Sequence, residues 1–417
     1  MPDAIVAAGS TARLGKINGD LKVGSNAKIL AESGNRVEVT GGAHFDGPVN
    51  IACDFECGKM RVTGKGFGPG PAHGDVKVKG SLLVHGELEI DASAEVDGGI
   101  TAERVDIGGH LESKSITSKG VRIGGHMETE GALEAEDVDV GGHMRVDGQV
   151  DAANLRVGGH ADIGGGNIRE AIQVRGHFKT RGKLSYGDFH VFGHLSLAAG
   201  SRGKSLNALG KVEFDGDGYC KTIEVNGVAR ASGNLEVENL KVNGKLEVEG
   251  VLKVADKLEV LGSMETTNEV ECEALTVGGK LVADKVASTG RADLGGEVGT
   301  DRGLKAKEIA VGTGSRVKGP IIGDVVEVGK RLDLGGFWGQ VSNWGSIGRM
   351  TKVEDVYGMD VRIDRYSQAK NIYAETVRVQ SGSMAGEIQY TREADVSDGV
   401  HLERPPRKVE VLPDFPF

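Results

Sequence analysis

Apolar residues recur along the chain in pairs separated by one mostly polar position, and the pairs themselves return at an almost constant interval. From Val105/Ile107 they run through Val121/Ile123, Val138/Val140, Leu155/Val157, Ile172/Val174, Phe189/Val191 and Leu206/Ala208. They continue as Ile223/Val225, Leu240/Val242, Leu258/Val260, Leu275/Val277, Ala292/Leu294, Ile309/Val311 and Val326/Val328. The repeat is about 17 residues long, and no step between successive pairs departs from it by more than one. Alternation at every second residue is the period of a strand, and a fixed repeat of this length marks a solenoid.

Within one unit the alternation reads Val138, Val140, Gly142, Met144, Val146, Gly148, Val150, Ala152, then slips by one to Leu155 and Val157. An odd repeat must slip once per turn if the same side chains are to face inward each time, and Ala153-Asn154 supplies the slip. The predicted fold is all-β: a parallel β-helix with about three short walls per turn, each turn stacked on the last. The residue between the members of each pair should then form an outward column. That column reads Asp106, Arg122, Asp139, Arg156 and later Glu224, Lys241, Glu259, and alternating signs suit a stacked ladder.

The regular β-helix spans 76–330, and one continuous solenoid describes the chain better than several globular domains. Residues 1–75 read as less regular coils, with pairs such as Val37/Val39 and a Gly/Pro insertion, KGFGPGPAHG, at 65–74. Leu88/Ile90 and Val76/Val78 open the regular part. Over 331–400 the coils are again less regular: Phe337, Trp338 and Trp344 cluster there, before coil-like pairs return at Val361/Ile363 and Val377/Val379. Residues 401–417 hold four of the nine prolines and read as an extended tail.

Composition sharpens this picture. Glycine accounts for 67 of 417 residues, about twice the usual share, yet 38% of the chain is hydrophobic, which argues against a disordered low-complexity chain. A set of the glycines has addresses: Gly109, Gly125, Gly142, Gly159 and their successors mark one corner of each coil, where either no side chain fits or a positive φ is needed. The net charge of −11 is spread without a basic stripe, so no nucleic-acid partner is expected. No stretch approaches the length of a membrane span and no signal peptide opens the sequence, which places the protein in the cytoplasm. Cys53, Cys57, Cys220 and Cys272 form no CxxC motif, so neither a disulfide framework nor a zinc finger is expected, and Cys53 and Cys57 read as buried thiols or surface bystanders.

Tandem coils of about 17 residues with a V-x-V/I-x-G core, few aromatics and a Pro-bearing tail resemble the bactofilins, polymer-forming cytoskeletal proteins. The VGGH and VNGKLEVEG coils carry the resemblance most clearly, and it covers about 76–380. It implies a right-handed β-helix with a triangular apolar core that assembles end to end into filaments without nucleotide. This chain departs from the family in being several times longer than its usual single short solenoid, which leaves open a solenoid that caps itself. A non-catalytic subunit docking onto another complex, through the tail or otherwise, is the competing reading.

Candidate sites are few. His110, His126, His143, His160, His177 and His194 occupy one outward column, where imidazoles one rung apart would either share Zn²⁺ or Ni²⁺ or form a solvated stack. The solvated stack is preferred, because the column continues as Lys211, Val228 and Lys245, as at a tolerant surface position; no metal or cofactor is expected. Trp338 and Trp344, with Phe415 and Phe417 of the tail, are candidate assembly or partner residues, or plugs for a coil end. An enzyme is not expected. Carbohydrate-cleaving β-helices need grooves floored by carboxylates and aromatics, hexapeptide acyltransferases repeat in multiples of six, and G-x-S-x-G, Walker and HExxH motifs do not occur.

Overall fold

The computed structural model describes residues 4–64, 75–332 and 350–415. Two compact units divide the chain, Met1–Gly203 and Lys204–Phe417. Each is a β-solenoid of parallel strands, and the turns number about 22 in all, roughly 17 residues apart. No helix occurs among the described residues, so none there is long and apolar enough to cross a membrane.

One turn of the first unit shows why the sequence folds this way. Met144–Val146 forms one wall, and Val150–Val157 bends into two more. Met144, Val146, Val150, Ala152, Leu155 and Val157 all point inward and none is more than 2% exposed. Ala153 and Asn154, half-buried between two inward pairs, take up the odd residue as expected.

The apolar pairs stack in the anticipated columns. Val105 pairs with Val121, Val121 with Val138, Val138 with Leu155, Leu155 with Ile172 and Ile172 with Phe189. In the second unit Ile223, Leu240, Leu258, Leu275, Ala292, Ile309 and Val326 follow one another in the same way. Burying one such side chain is worth about 1.5–3 kcal/mol. An exposed ion pair contributes at most about 1 kcal/mol, so the core columns set the register.

The first column also reaches further toward the N-terminus than the regular spacing suggests. Ala4, Leu21, Ala43, Met60 and Leu88 precede Val105 in it. The steps from Leu21 to Ala43 and from Met60 to Leu88 exceed the repeat, while the others keep it. The longer of the two contains the insertion 65–74, which lies outside the described residues. In the second unit Val326 pairs directly with Val361, skipping a full repeat of chain, and Val361 then pairs with Val377. That interval contains Phe337, Trp338 and Trp344, which also lie outside the described residues, as does Phe417.

The charged column keeps the register expected of it, with Asp106 opposite Arg122 and Arg122 opposite Asp139. Asp106, Arg122, Asp139 and Arg156 do not close into ion pairs within 4 Å among the described residues, whereas elsewhere along the same column Arg61 meets Glu89 and Arg362 meets Glu327, each at 3.4 Å. Exposed pairs that bridge turns also form on other columns, such as Lys119–Glu103 at 2.7 Å and Arg230–Glu249 at 2.6 Å.

The corner glycines answer a question of cause. None of those described in the column of Gly125, Gly142 and Gly159 has a positive φ. A Cβ on Gly142 would instead run into the carbonyl oxygen of Gly125, and one on Gly159 into that of Gly142. The same holds in the second unit for Gly244 against Gly227, Gly262 against Gly244 and Gly279 against Gly262. Each corner carbonyl points along the stack at the next corner, and only a residue without a side chain fits beneath it.

Candidate functional site: coil edges and a histidine column

A solenoid turn satisfies its backbone groups by pairing with the turn on either side, so a terminal turn presents an unpaired edge. In the first unit Ala4–Val6, Thr11–Leu14 and Lys16–Ile17 pair with Leu21–Gly24, Ala27–Ala31 and Arg36–Asp46 on one side. Nothing among the described residues pairs with their other edge. The core is correspondingly unfinished there. Ala4, Ala12, Leu14 and Ile17 are half-buried, whereas Leu21, Ile29 and Val39, one turn further in, are at most 1% exposed.

The end of the second unit is built differently. Its last full turn, Met384–Val396, receives two short strands of the tail: His401–Leu402 against Met384 and Ala385, and Arg407–Lys408 against Gln389 and Tyr390. Backbone bonds from His401 N–H to Ser383 O (2.9 Å) and from Val409 N–H to Tyr390 O (2.8 Å) fix the overlay. The tail thus folds back over the coil, covering two of its walls. The third wall stays open among the described residues, where Ala394 and Val396 are half-buried although Val377 and Val379 beneath them are not exposed beyond 1%. Phe415 reaches past the coil edge to the side wall and packs edge-on against Tyr357 at 4.8 Å, and Tyr357 stacks on Tyr373.

The histidine column is a real stack. Ring centroids of His126, His143, His160 and His177 follow at 4.6, 4.8 and 4.6 Å, with planes within 7° of parallel. His110 tilts by 59° at one end and His194 by 32° at the other. The spacing is that of the strands themselves, because each ring follows a corner glycine and projects from the first residue of a wall. The rings line an open groove of about 740 Å³ with Glu95, Glu112, Glu128, Arg145, Asp162 and Lys179. Among the described residues no three or more His, Cys, Asp or Glu side chains converge as a metal cluster.

Loss of solvation, and then the nearby charges of His177 and His143, hold His160 below the usual imidazole range. The folded state therefore binds fewer protons at this ring than the unfolded chain does between the depressed value and about 6.5. Stability from this group is present above that window and falls as pH drops through it. NMR titration should find the His160 midpoint below the ordinary value. With His143→Gln and His177→Gln together it should rise part of the way back, the desolvation remaining; an unmoved midpoint would remove the neighbours as a cause.

All four cysteines are buried and stand outside any disulfide. Burial pushes the Cys57 thiol up to about 12 and the Cys272 thiol up to about 11, which leaves both un-ionised and poorly nucleophilic at neutral pH. One polar cluster escapes sequence reading: the largely buried Glu56 carboxylate meets Arg36, and His85 Nε2 at 2.7 Å. Its members come from three successive turns, and the stretch from Glu56 to His85 includes the 65–74 insertion, so no local motif announces it. Other grooves among the described residues are open furrows between walls, such as one of about 590 Å³ running from Tyr219 to Thr289. Comparison with family models, with curated proteins and with solved structures returns no match.

Proposed function

We propose that the protein is a non-catalytic structural element of bactofilin type, which self-associates without nucleotide by stacking coil edges in the cytoplasm. The β-solenoid fold is compatible with such a role. The observation that carries the reading is the edge at Ala4–Ile17, which nothing among the described residues pairs with, and its half-buried apolar residues. A second copy placed there would continue the ladder and complete the burial of Ala4, Ala12, Leu14 and Ile17. The tail strands at His401–Lys408 support a refinement: the end they cover is the weaker partner, so association proceeds from the N-terminal edge and the tail limits growth at the other.

Purified protein without nucleotide, studied by analytical ultracentrifugation and negative-stain electron microscopy, tests this. Dimers or polymers are expected. Ala12→Asp with Leu14→Lys should return monomers with an unchanged circular dichroism spectrum, because both positions are already half-exposed. Removing residues 401–417 should lengthen the assemblies. Monomers of the unmodified protein at high concentration would count decisively against the proposal, and one stoichiometric foreign partner with no polymer would establish the docking-subunit reading instead.

A further inference from the structure

The histidine column also carries a chemistry of its own, and it can be followed through the tautomers. The backbone N–H of His126 donates to His110 Nδ1 at 3.1 Å, so that nitrogen holds a lone pair. His126 Nδ1 lies 3.1 Å from the same atom and must therefore be the protonated nitrogen of its ring. His126 Nε2 is left with its lone pair, and it faces His143 Nδ1 at 2.8 Å. Without a ligand, His143 Nδ1–H donates across that gap. Moving the His143 proton to Nε2 would leave two lone pairs facing one another.

Two imidazole nitrogens bound at right angles to a transition ion, each about 2.0–2.1 Å from it, stand about 2.9 Å apart. The His126–His143 separation already matches that bite. His110 would serve behind it, accepting the His126 Nδ1 proton and so fixing the ring that ligates. We propose that the column holds a binding site for a divalent transition cation, with the ion held by the facing nitrogens His126 Nε2 and His143 Nδ1. No third protein donor converges there among the described residues, so water fills the remaining positions. Glu112, which lines the same groove, adds negative potential along the approach, while Glu128 pairs with Arg145 at 3.6 Å. Neutral imidazole donors favour Cu²⁺, then Ni²⁺ and Zn²⁺, and offer nothing to Mg²⁺ or Ca²⁺, which seek oxygen.

The test is Cu²⁺ titration of the full chain at pH 7.5 by calorimetry, with electron paramagnetic resonance of the loaded protein. Binding is expected, with hyperfine coupling to two imidazole nitrogens per ion, and with no heat from Mg²⁺. Replacing His126, His160 and His194 by Gln leaves His110, His143 and His177 two turns apart, with no neighbours. Affinity should then fall at least tenfold and the spectrum should show a single nitrogen. His44→Gln with His190→Gln, outside the column, should change neither. Absence of Cu²⁺ binding, a one-nitrogen spectrum from the unmodified chain, or unchanged affinity in the triple variant would each overturn the proposal. The unmodified chain's spectrum decides the matter even if the triple variant does not fold.

Discussion

Gly244→Ala is expected to destabilise the second unit by about 3 kcal/mol, as overpacking against an unyielding partner does. The added Cβ would fall against the carbonyl oxygen of Gly227, and then against that of Asn226. These are backbone atoms, and they are held: Lys245 N–H donates to Gly227 O at 2.9 Å, while Gly244 O accepts from Ser263 N–H at 2.9 Å. Making room means parting two turns at a point where both ladders are bonded. Gly120→Ala is the control, because a Cβ there meets nothing within 4 Å and its φ is not positive. It should shift stability by no more than about 1 kcal/mol, and in the favourable direction. Urea unfolding of the two variants beside the unmodified protein decides the point. Equal midpoints for all three would mean that stacked carbonyls are not what reserves the corner for glycine.

Phe189→Ala should cost the first unit about 3–5 kcal/mol. Phe189 is fully buried in the core column beside Ile172, with Phe178 edge-on at 5.1 Å and Tyr186 at 5.4 Å. Truncation removes the central ring of this trio, and the walls cannot close around the gap, because their separation is set by the hydrogen-bonded ladder they belong to. Stability in a stacked array is passed between nearest neighbours, so the loss should be local. Hydrogen exchange should accelerate in Ile172–Val191 and much less in Leu21–Phe45. A uniform increase over the whole unit would contradict nearest-neighbour coupling. Phe189→Leu should recover most of the loss.

Much of this architecture was legible because a short, constant repeat writes each core position many times. Val138, Leu155 and Ile172 are each ambiguous alone, and together they define a column. Legibility fails where the interval breaks. Ala43 belongs to the same column as Leu21 and Met60, yet it stands further from Leu21 than one repeat allows, and no periodic reading would find it. The tail strands are too short to alternate, so HLERPPRK reads as coil although His401, Leu402, Arg407 and Lys408 all pair with the last turn. The outward column was found, but which charges would meet across it was not. Side-chain direction at a surface is settled by neighbours on adjacent columns, as when Arg181 turns to Asp147 and Asp162. The histidine column was visible as spacing, whereas its chain of donors and acceptors depends on ring orientation, which spacing does not specify.

The excursions between turns have a consequence for how such a chain can change. Met60 pairs with Leu88, and Val326 with Val361, although each pair is separated by well over one repeat of chain. The core does not register how much chain departs between one turn and the next, provided it returns to the same column. Chain length between Val62 and Val76, or between Leu332 and Met350, can therefore change without disturbing the column, while a single insertion inside Val150–Val157 would turn every following side chain of that wall inside out. The solenoid thus has two kinds of position, one open to new passengers and one closed to any change of length.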